Sequence, residues 1–438
     1  MKKSGFKWGI FEARLPVLHM RIEWPELVQG LVVSLSTGLA LVPILITAFG
    51  LTFEEAVTLA MLHMMIATSN VILFGEPFAA GWITPALPFV LAFVLGGLDN
   101  AVERFQMMTA LAIDFAFITL ILAVTGLGKK VNAIVPTALK AGIILGAALS
   151  ALKRIFFDDL VVFGMMPVSF VLAIITSVVI LYLPAFQRLR DKYKIISIIA
   201  SLGLLPAFVL AGLFGGLSGE LAFNIESGFL IPPMGALMAK ISPFSIGFPP
   251  LEFFIAGLPL AFITYLILFG DLITGTALIK DNQQYRPDDP IDIDLNRSHY
   301  AVAIRNFVMA LFAPFFPTQG VRWAGAQVLI VERWKQGREK LESLFSGISA
   351  FYYYGIPIFF ICLPVVTFLR PFMPIALMLT LLLTAIACGR LSVKTATSMT
   401  DKIIMTCVAF LLTFYGPGIG LIAGAVLCLF AAAIKKRV

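Results

Sequence analysis

The sequence predicts an all-α polytopic membrane protein with about 14 transmembrane segments, and three observations lead to this fold class. The chain has 438 residues, of which 60% are hydrophobic and only 13% are charged. Its mean hydropathy is +0.97, whereas soluble proteins are about 45–50% apolar and about 25% charged. Its apolar runs are long and unbroken, unlike the short alternating segments of a spanning barrel. The composition therefore excludes a soluble enzyme, a nucleic-acid-binding protein and a disordered chain.

The predicted spans form two groups of seven on either side of a loop at residues 218–250. The first group covers residues 26–49, 53–74, 82–97, 106–126, 131–152, 167–186 and 194–216, and the second covers 251–279, 299–316, 321–331, 346–368, 371–388, 399–415 and 418–434. Residues 1–25 are polar and basic, which indicates an N-terminal segment before a retained first span rather than a cleavable signal peptide.

The basic residues orient the chain in the membrane. With both termini in the cytoplasm, 23 of the 32 Lys and Arg residues fall on the cytoplasmic side, which is the bias expected of membrane proteins. The loop at 218–250 is then extracytoplasmic. The acidic stretch Asp281–Asp294 falls in a cytoplasmic loop, and we expect it to be a solvated surface segment because it lacks the ligand spacing of a calcium loop.

Two of the segments, 82–97 and 321–331, are shorter than an ordinary span. Each follows an extended stretch that contains glycine and proline, Phe78–Pro85 and Phe316–Gly320. Each is the third of its group, and because seven is an odd number the two groups have opposite orientations, which makes an inverted repeat. Half-helices that begin at mid-membrane present free N–H groups and a positive dipole end. The pair therefore predicts a midplane site for an anion or another acceptor-rich ligand.

Five short stretches carry a resemblance to a known superfamily. They are Ser36–Pro43, Gly81–Pro85, Phe269–Thr274, Pro317–Gly325 and Pro374–Gly389. Through them the chain resembles the nucleobase–ascorbate transporters (uracil and xanthine permeases), the SulP sulfate permeases and the band 3 anion exchangers. These proteins share a seven-plus-seven inverted repeat with a core domain and a gate domain.

The resemblance implies how the chain is organised. The first repeat is residues 26–217, with spans 1–4 in the core and spans 5–7 in the gate. The second is residues 251–438, with spans 8–11 in the core and spans 12–14 in the gate. Short strands precede half-helices 3 and 10, and the substrate sits between the starts of these two helices. The resemblance also implies an elevator-type slide of core against gate and a homodimer formed through the gate.

The residues at the implied site favour one class of substrate. Nucleobase permeases place an acid in span 8 and another acid or amide at the start of span 10. Here Gly270 occupies the first position, with Asp271 next to it, and the second stretch, Trp323–Ala326, contains no acid. Arg322, just before this half-helix, instead resembles the arginine that supplies positive charge in the anion exchangers. These departures favour an anion over a nucleobase.

Arg322 is the first candidate for substrate binding. A charge inside an apolar, broken segment is costly, and the planar fork of donors on arginine suits carboxylates and oxyanions. A snorkelling arginine at a span edge and a structural pair with Asp271 are the alternatives. Asp271 in span 8 and Asp114 in span 4 are candidates for binding a coupling Na⁺ or H⁺. Asp271 could instead neutralise Arg322 in the empty site, and Asp114 could be a structural brace.

The other predicted substrate-binding residues lie in the same motifs: they are Ser36, Thr37, Gly81, Thr84, Gln319, Gly320 and Trp323. Hydroxyl and amide groups among them offer hydrogen bonds, although small polar residues also serve helix packing. The glycines let the backbone approach a ligand or a neighbouring helix closely. His63 in span 2 is interpreted as a packing histidine rather than a proton relay.

The sequence thus predicts a secondary active transporter of a small anion, such as an oxyanion or a carboxylate, working by ion-coupled symport or exchange. A uracil- or xanthine-type permease with an altered site is the alternative. An enzyme or an ATP-driven pump is disfavoured because the sequence shows no nucleotide loop, metal motif or nucleophile–base pair. We expect no cofactor other than a coupling Na⁺ or H⁺. The expected partners are the lipid bilayer, the anion and a second copy of the chain, in a bacterial inner membrane.

Overall fold

The computed structural model describes residues 5–201, 204–314, 318–352 and 359–435. Within these ranges nearly all regular structure is helical, which confirms the predicted all-α class. The exception is a small hairpin near the N-terminus, in which β1 (Phe6–Trp8) pairs antiparallel with β2 (Phe11–Ala13).

The first half of the described chain folds into twelve helices. They are α1 (Trp24–Gly38), α2 (Val42–Thr47), α3 (Phe53–Ile72), α4 (Leu87–Gly97), α5 (Ala101–Thr125), α6 (Gly128–Ile134), α7 (Thr137–Lys153), α8 (Leu160–Met165), α9 (Pro167–Tyr182), α10 (Pro184–Lys192), α11 (Lys194–Ser201) and α12 (Leu205–Leu217). Local sequence sets their ends. Thr52 and Glu55 form a capping box at the start of α3, and Gly126 ends α5 in the left-handed conformation.

The second half contributes ten helices in its described ranges. They are α13 (Met234–Ile241), α14 (Pro243–Ile246), α15 (Leu251–Gln283), α16 (Leu295–Phe312), α17 (Ala324–Trp334), α18 (Leu344–Tyr352), α19 (Leu363–Leu369), α20 (Met373–Thr395), α21 (Met399–Tyr415) and α22 (Pro417–Lys435). α15 is the longest, with 33 residues, and a 3-10 turn connects α19 directly to α20.

Each predicted span overlaps one or two of these helices. Parts of three predicted spans, residues 202–203, 315–316 and 353–358, lie outside the described residues. Among the described helices, five stretches are long and apolar enough to cross a membrane, and two bent pairs, one of them α6 with α7 at 92°, bring the number to seven. The two segments predicted to be short are short here, with α4 and α17 each 11 residues long. The exact number of spans and the inverted repeat stay predictions.

The helix packing divides into two groups. α5 packs against α15 and α16, and α7 packs against α20 and α21. The first three belong to spans predicted for the core, and the last three to spans predicted for the gate. Most buried apolar side chains of both groups join one continuous cluster. The domain boundaries themselves stay predictions.

The N-terminal hairpin packs on the end of α3. The indole N–H of Trp8 donates to the carbonyl of Leu73 at 2.7 Å, and the backbone N–H of Arg14 donates to the carbonyl of Ile72 at 2.7 Å. The polar N-terminal segment is therefore attached to the membrane-spanning part of the chain.

The acidic stretch Asp281–Asp294 differs from the predicted solvated segment at one aspartate. Four of the five aspartates in Asp281–Asp294 are exposed, but Asp289 is fully buried. Its carboxylate accepts hydrogen bonds from the indole N–H of Trp334 and the backbone N–H of Leu344, both at 2.9 Å. The prediction of a solvated loop is therefore wrong for Asp289, because two buried donors offset the cost of removing its charge from water.

Arg286 is a second fully buried charge in this loop. Its guanidinium donates to the carbonyls of Trp334, Leu341 and Glu342 at 2.8–2.9 Å and pairs with Asp288 at 2.9 Å. These contacts fasten the loop to the end of α17 and to the turn that follows it.

The loop at residues 218–250 contacts both groups of helices. Near its start, the carboxylate of Glu220 accepts hydrogen bonds from the backbone N–H and the hydroxyl of Ser169, at 2.8 and 2.7 Å, at the beginning of α9. Near its end, Lys240 Nζ lies 2.7 Å from Glu55 Oε2 on α3. The loop therefore connects a helix of the predicted gate to a helix of the predicted core.

Candidate functional site

The two stretches that precede the short helices pair with each other. Trp82 and Gln319 form an isolated antiparallel bridge, and the N–H of Gly320 donates to the carbonyl of Gly81 at 2.7 Å. A side chain cannot be accommodated at Gly81, because a Cβ atom there would lie 2.8 Å from the Cβ of Trp323. The short strands that the resemblance implies are thus a single bridge with flanking hydrogen bonds.

Each stretch leads directly into a helix. Thr84 opens a 3-10 turn that continues into α4, and Trp323 is the residue before the first turn of α17. Neither helix start has a side chain that caps it. The first N–H groups of a helix have no acceptor within the helix, so the start of α17 offers hydrogen-bond donors and a positive dipole end. At the start of α4, Pro85 and Pro88 have no N–H, and the N–H groups of Ala86 and Leu87 donate to the carbonyls of Ile83 and Thr84. The start of α4 therefore contributes mainly its positive dipole end.

Both helix starts border one cavity of about 450 Å³. One wall comes from helices of the predicted core and includes Gly38, Thr84, Asp271, Arg322, Trp323 and Gly325. The opposite wall comes from helices of the predicted gate and includes Tyr182, Thr380, Leu383, Thr384, Ala387 and Cys388. The cavity therefore lies between the two helix groups.

Arg322 is the only cation among the described residues of the cavity wall, and it is 9% exposed. Its Nη2 donates to Thr274 Oγ1 at 2.7 Å and lies 3.5 Å from Asp271 Oδ1, and its Nε donates to the carbonyl of Asp271 at 3.1 Å. Nη1 has no hydrogen-bond partner within the part of the chain that the structure describes. Arg322 is therefore held by α15 with part of its donor fork unused.

Gly275 on α15 makes room for the stem of this arginine. A Cβ atom at Gly275 would lie 2.8 Å from Cδ and 3.2 Å from Nε of Arg322, and 3.1 Å from the ring of Phe78. Contacts this short require a neighbour to move. The position of the guanidinium therefore depends on the absence of a side chain at Gly275.

A buried polar cluster surrounds the bridge, and His63, Gln319 and Arg305 in it are not among the cavity-lining residues. The indole N–H of Trp82 donates to His63 Nδ1 at 2.7 Å, and the side-chain amide of Gln319 donates to the His63 carbonyl at 3.0 Å. Arg305 donates to the Gln319 side-chain oxygen at 3.1 Å and to the Gly320 carbonyl at 2.7 Å. His63 is thus a buried, hydrogen-bonded residue, and its role as a packing histidine stays a prediction.

Half of the predicted site residues border the cavity: they are Gly81, Thr84, Asp271, Arg322 and Trp323. The side chains of Ser36 and Thr37 lie outside the described residues. α1, which contains both positions, ends at Gly38 on the cavity wall. The roles assigned to these residues stay predictions.

The other predicted residues lie elsewhere. Gln319 and Gly320 belong to the buried cluster rather than to the cavity wall. Asp114 lies on α5 where it meets α15, and a Cβ atom on Gly257 would approach its Oδ2 to 3.2 Å. This oxygen is buried and has no hydrogen-bond partner among the described residues.

Sequence reasoning missed two residues that support the site. Arg305 is almost fully buried beside the bridge, and its signal was a cation within an apolar run. Tyr352 borders the cavity, and its hydroxyl donates to the carbonyl of Ala80. No sequence signal distinguishes Tyr352 from its neighbours.

Three solved structures resemble this fold. The transmembrane domain of the cyanobacterial bicarbonate transporter BicA matches with a TM-score of 0.57 and 15% identity, covering 92% of this chain and 97% of that one. SLC26A9 matches with a TM-score of 0.56 and 16% identity, covering 94% and 65%. The murine SLC26A9 anion transporter in its inward-facing state matches with a TM-score of 0.59 and 15% identity, covering 94% and 68%. The chain has the fold of the BicA and SLC26A9 transmembrane domains.

The likeness to BicA and SLC26A9 fits the predicted all-α membrane fold, and the inverted repeat and the core and gate domains stay predictions. Two of these structures are described as a bicarbonate transporter and an anion transporter. The chain spans about two thirds of the length of the SLC26A9 chains. No family model and no curated protein matches the sequence.

Proposed function

We propose that the chain is a secondary active transporter of a small anion, such as an oxyanion or a carboxylate. The observation that carries this proposal is the placement of Arg322, whose partly unused donor fork borders a cavity beside two uncapped helix starts. Fixed positive groups of this kind favour a negatively charged ligand. BicA is described as a bicarbonate transporter and murine SLC26A9 as an anion transporter, which supports the same substrate charge.

The proposed movement is an elevator-type slide of the core helices against the gate helices. The cavity is bordered by both groups, so a relative shift would carry Arg322 past the wall formed by α20. With both termini in the cytoplasm, Tyr182 and Cys388 lie towards the cytoplasmic ends of α9 and α20. The proposed state is therefore inward-facing. Dimerisation through the gate and residence in a bacterial inner membrane belong to the same proposal.

Asp271 is the proposed coupling residue of this site. Its carboxylate lies 3.5 Å from Arg322 Nη2, so an incoming anion would compete with it for the arginine. A proton or a sodium ion on Asp271 would remove that competition, which links anion binding to cation binding. Asp114 is the second proposed coupling residue because its buried Oδ2 has no partner within the described ranges.

Uptake into proteoliposomes tests the proposal. Wild-type protein should take up at least one anion from a panel of bicarbonate, sulfate, chloride and carboxylates, and Arg322→Gln should abolish uptake. The matched control is Arg338→Gln, which changes an exposed arginine away from the cavity. Uptake of uracil or xanthine that survives Arg322→Gln would contradict anion transport and favour a nucleobase permease.

The coupling roles need a separate assay. If Asp271 couples transport to an ion gradient, Asp271→Asn should retain anion exchange across the membrane but lose gradient-driven accumulation. The same measurement on Asp114→Asn distinguishes a second coupling site from a structural brace. Accumulation that is unchanged in Asp271→Asn would contradict the coupling role.

A further inference from the structure

The cavity beside Arg322 is much larger than a small inorganic anion requires. Its volume is about 450 Å³, whereas a water molecule occupies about 30 Å³ in the liquid. An anion of three or four oxygen atoms fills the space of only a few waters. The cavity, which is open on one side, therefore has room for a ligand with a body as well as a charged group.

Two of the four aromatic residues on the described wall, Trp82 and Tyr352, have their polar ends turned into the protein. The indole N–H of Trp82 donates to His63 Nδ1 at 2.7 Å, and the hydroxyl of Tyr352 donates to the carbonyl of Ala80. Both side chains border the cavity. They therefore offer ring surface rather than hydrogen bonds to whatever lies inside, and ring surface favours apolar and aromatic groups.

The remainder of the wall is also largely apolar. Met64 and Leu204 contribute to it, and Leu383 and Ala387 contribute from α20. Among the described lining residues, the charged side chains are Arg322 and Asp271 alone. A single arginine in an apolar chamber is suited to one negative charge rather than two, because a second charge would be buried without a partner.

We propose that the substrate is an amphipathic monoanion, namely a monocarboxylate with an aromatic or branched aliphatic body. This inference rests on the proposed anion transport and specifies its substrate class. The carboxylate binds Arg322 and the first N–H groups of α17, beside the positive end of α4, and the body lies against Trp82, Tyr352 and Leu383. Affinity then comes from the charge and from the buried apolar surface together.

A homologous series of ligands tests this inference on the unmodified protein. Binding of formate, acetate, butanoate, hexanoate and benzoate is measured by titration calorimetry, with chloride, sulfate and bicarbonate as body-free anions. We expect affinity to rise about fourfold for each methylene that enters the cavity, which is the gain from burying one methylene. Formate or bicarbonate binding as tightly as hexanoate and benzoate would overturn the inference.

A variant that fills the cavity gives a second test. Leu383→Trp should reduce the affinity advantage of benzoate over acetate at least tenfold while acetate still binds. Leu391→Trp is the matched control, because it places the same side chain on an exposed position of α20. It should change the affinity for neither benzoate nor acetate. If Leu383→Trp folds normally by circular dichroism and still prefers benzoate to acetate by the same factor as the wild type, the inference is overturned.

The outcomes separate this inference from the proposed function. Inorganic anions that bind through Arg322, with no gain from an apolar body, would overturn the substrate class and leave anion transport standing. If no anion binds, or if binding is the same in Arg322→Gln, both proposals are overturned. If the affinity rises with the size of the apolar body, and binding is lost in Arg322→Gln, both proposals are supported.

Discussion

Trp82 and Gln319 face each other in an antiparallel bridge, and both donate hydrogen bonds to the same buried residue, His63. One histidine on α3 thus holds the two stretches that lead into the half-helices. Because the site is formed by the starts of both half-helices, its geometry depends on this shared contact.

His63→Leu should therefore destabilise the protein. The substitution leaves the Trp82 indole N–H without its acceptor and removes the 3.0 Å contact between His63 Nε2 and the Gln319 side-chain amide, whereas the bond from Gln319 to the backbone carbonyl of residue 63 can remain. One buried, unsatisfied donor costs about 1–3 kcal/mol. Thermal unfolding followed by tryptophan fluorescence measures the loss, and Met65→Leu, a change at an exposed position of the same helix, is the control. Equal stability of His63→Leu and wild type would refute the bracing role.

Gly275→Ala should impair transport without removing any functional group. The added methyl would lie 2.8 Å from Arg322 Cδ and displace the guanidinium. A misplacement of about 1 Å can cost about a hundredfold in rate, so we expect at least a tenfold loss of anion uptake. Gly270→Ala on the same helix is the matched control, because a Cβ atom there meets nothing within 4 Å. Equal uptake by the two variants would show that Arg322 tolerates the displacement.

Arg286→Ala should lower the free energy of unfolding by more than about 2 kcal/mol, because two buried carbonyls and a partly buried one lose their donors. The reference is Arg338→Ala, which removes an exposed arginine from the turn after α17. Urea unfolding of both variants measures the difference. A loss no larger than that of Arg338→Ala would mean that the buried contacts of Arg286 add little to stability.

Glu220 makes the start of α9 sensitive to acid. Burial by itself raises the pKa of Glu220, but hydrogen bonds from Ser169 and from the Val168 N–H outweigh burial and hold the pKa below its usual value of 4.5. The unfolded state then binds the proton more readily, so this stabilisation is present above pH 4.5 and is lost as the pH falls through the folded pKa. Glu220→Gln should be less stable than wild type at pH 7, and the difference should shrink below pH 4.5. A difference in melting temperature that is independent of pH would contradict this.

The sequence could predict the helical class and the positions of the two half-helices because both follow from apolar run length and from glycine and proline. It could also identify Arg322 as a candidate site residue, since a cation in a broken apolar segment is rare. It could not predict that Asp289 and Arg286 are buried, because their partners are mainly backbone groups and an indole that come together only in the tertiary fold. The contact between Tyr352 and Ala80 could not be predicted either, because it also forms only in the tertiary fold.

The most direct test of an anion site at Arg322 is a structure determined with a heavy-atom-labelled anion, such as iodide or 4-bromobenzoate. The expected result is an anomalous peak inside the cavity, with the anionic group in hydrogen-bonding distance of Arg322 Nη1 and next to the starts of α4 and α17, and no such peak in Arg322→Gln. Anomalous peaks that occur only outside the cavity, or an unchanged peak in Arg322→Gln, would contradict an anion site at Arg322.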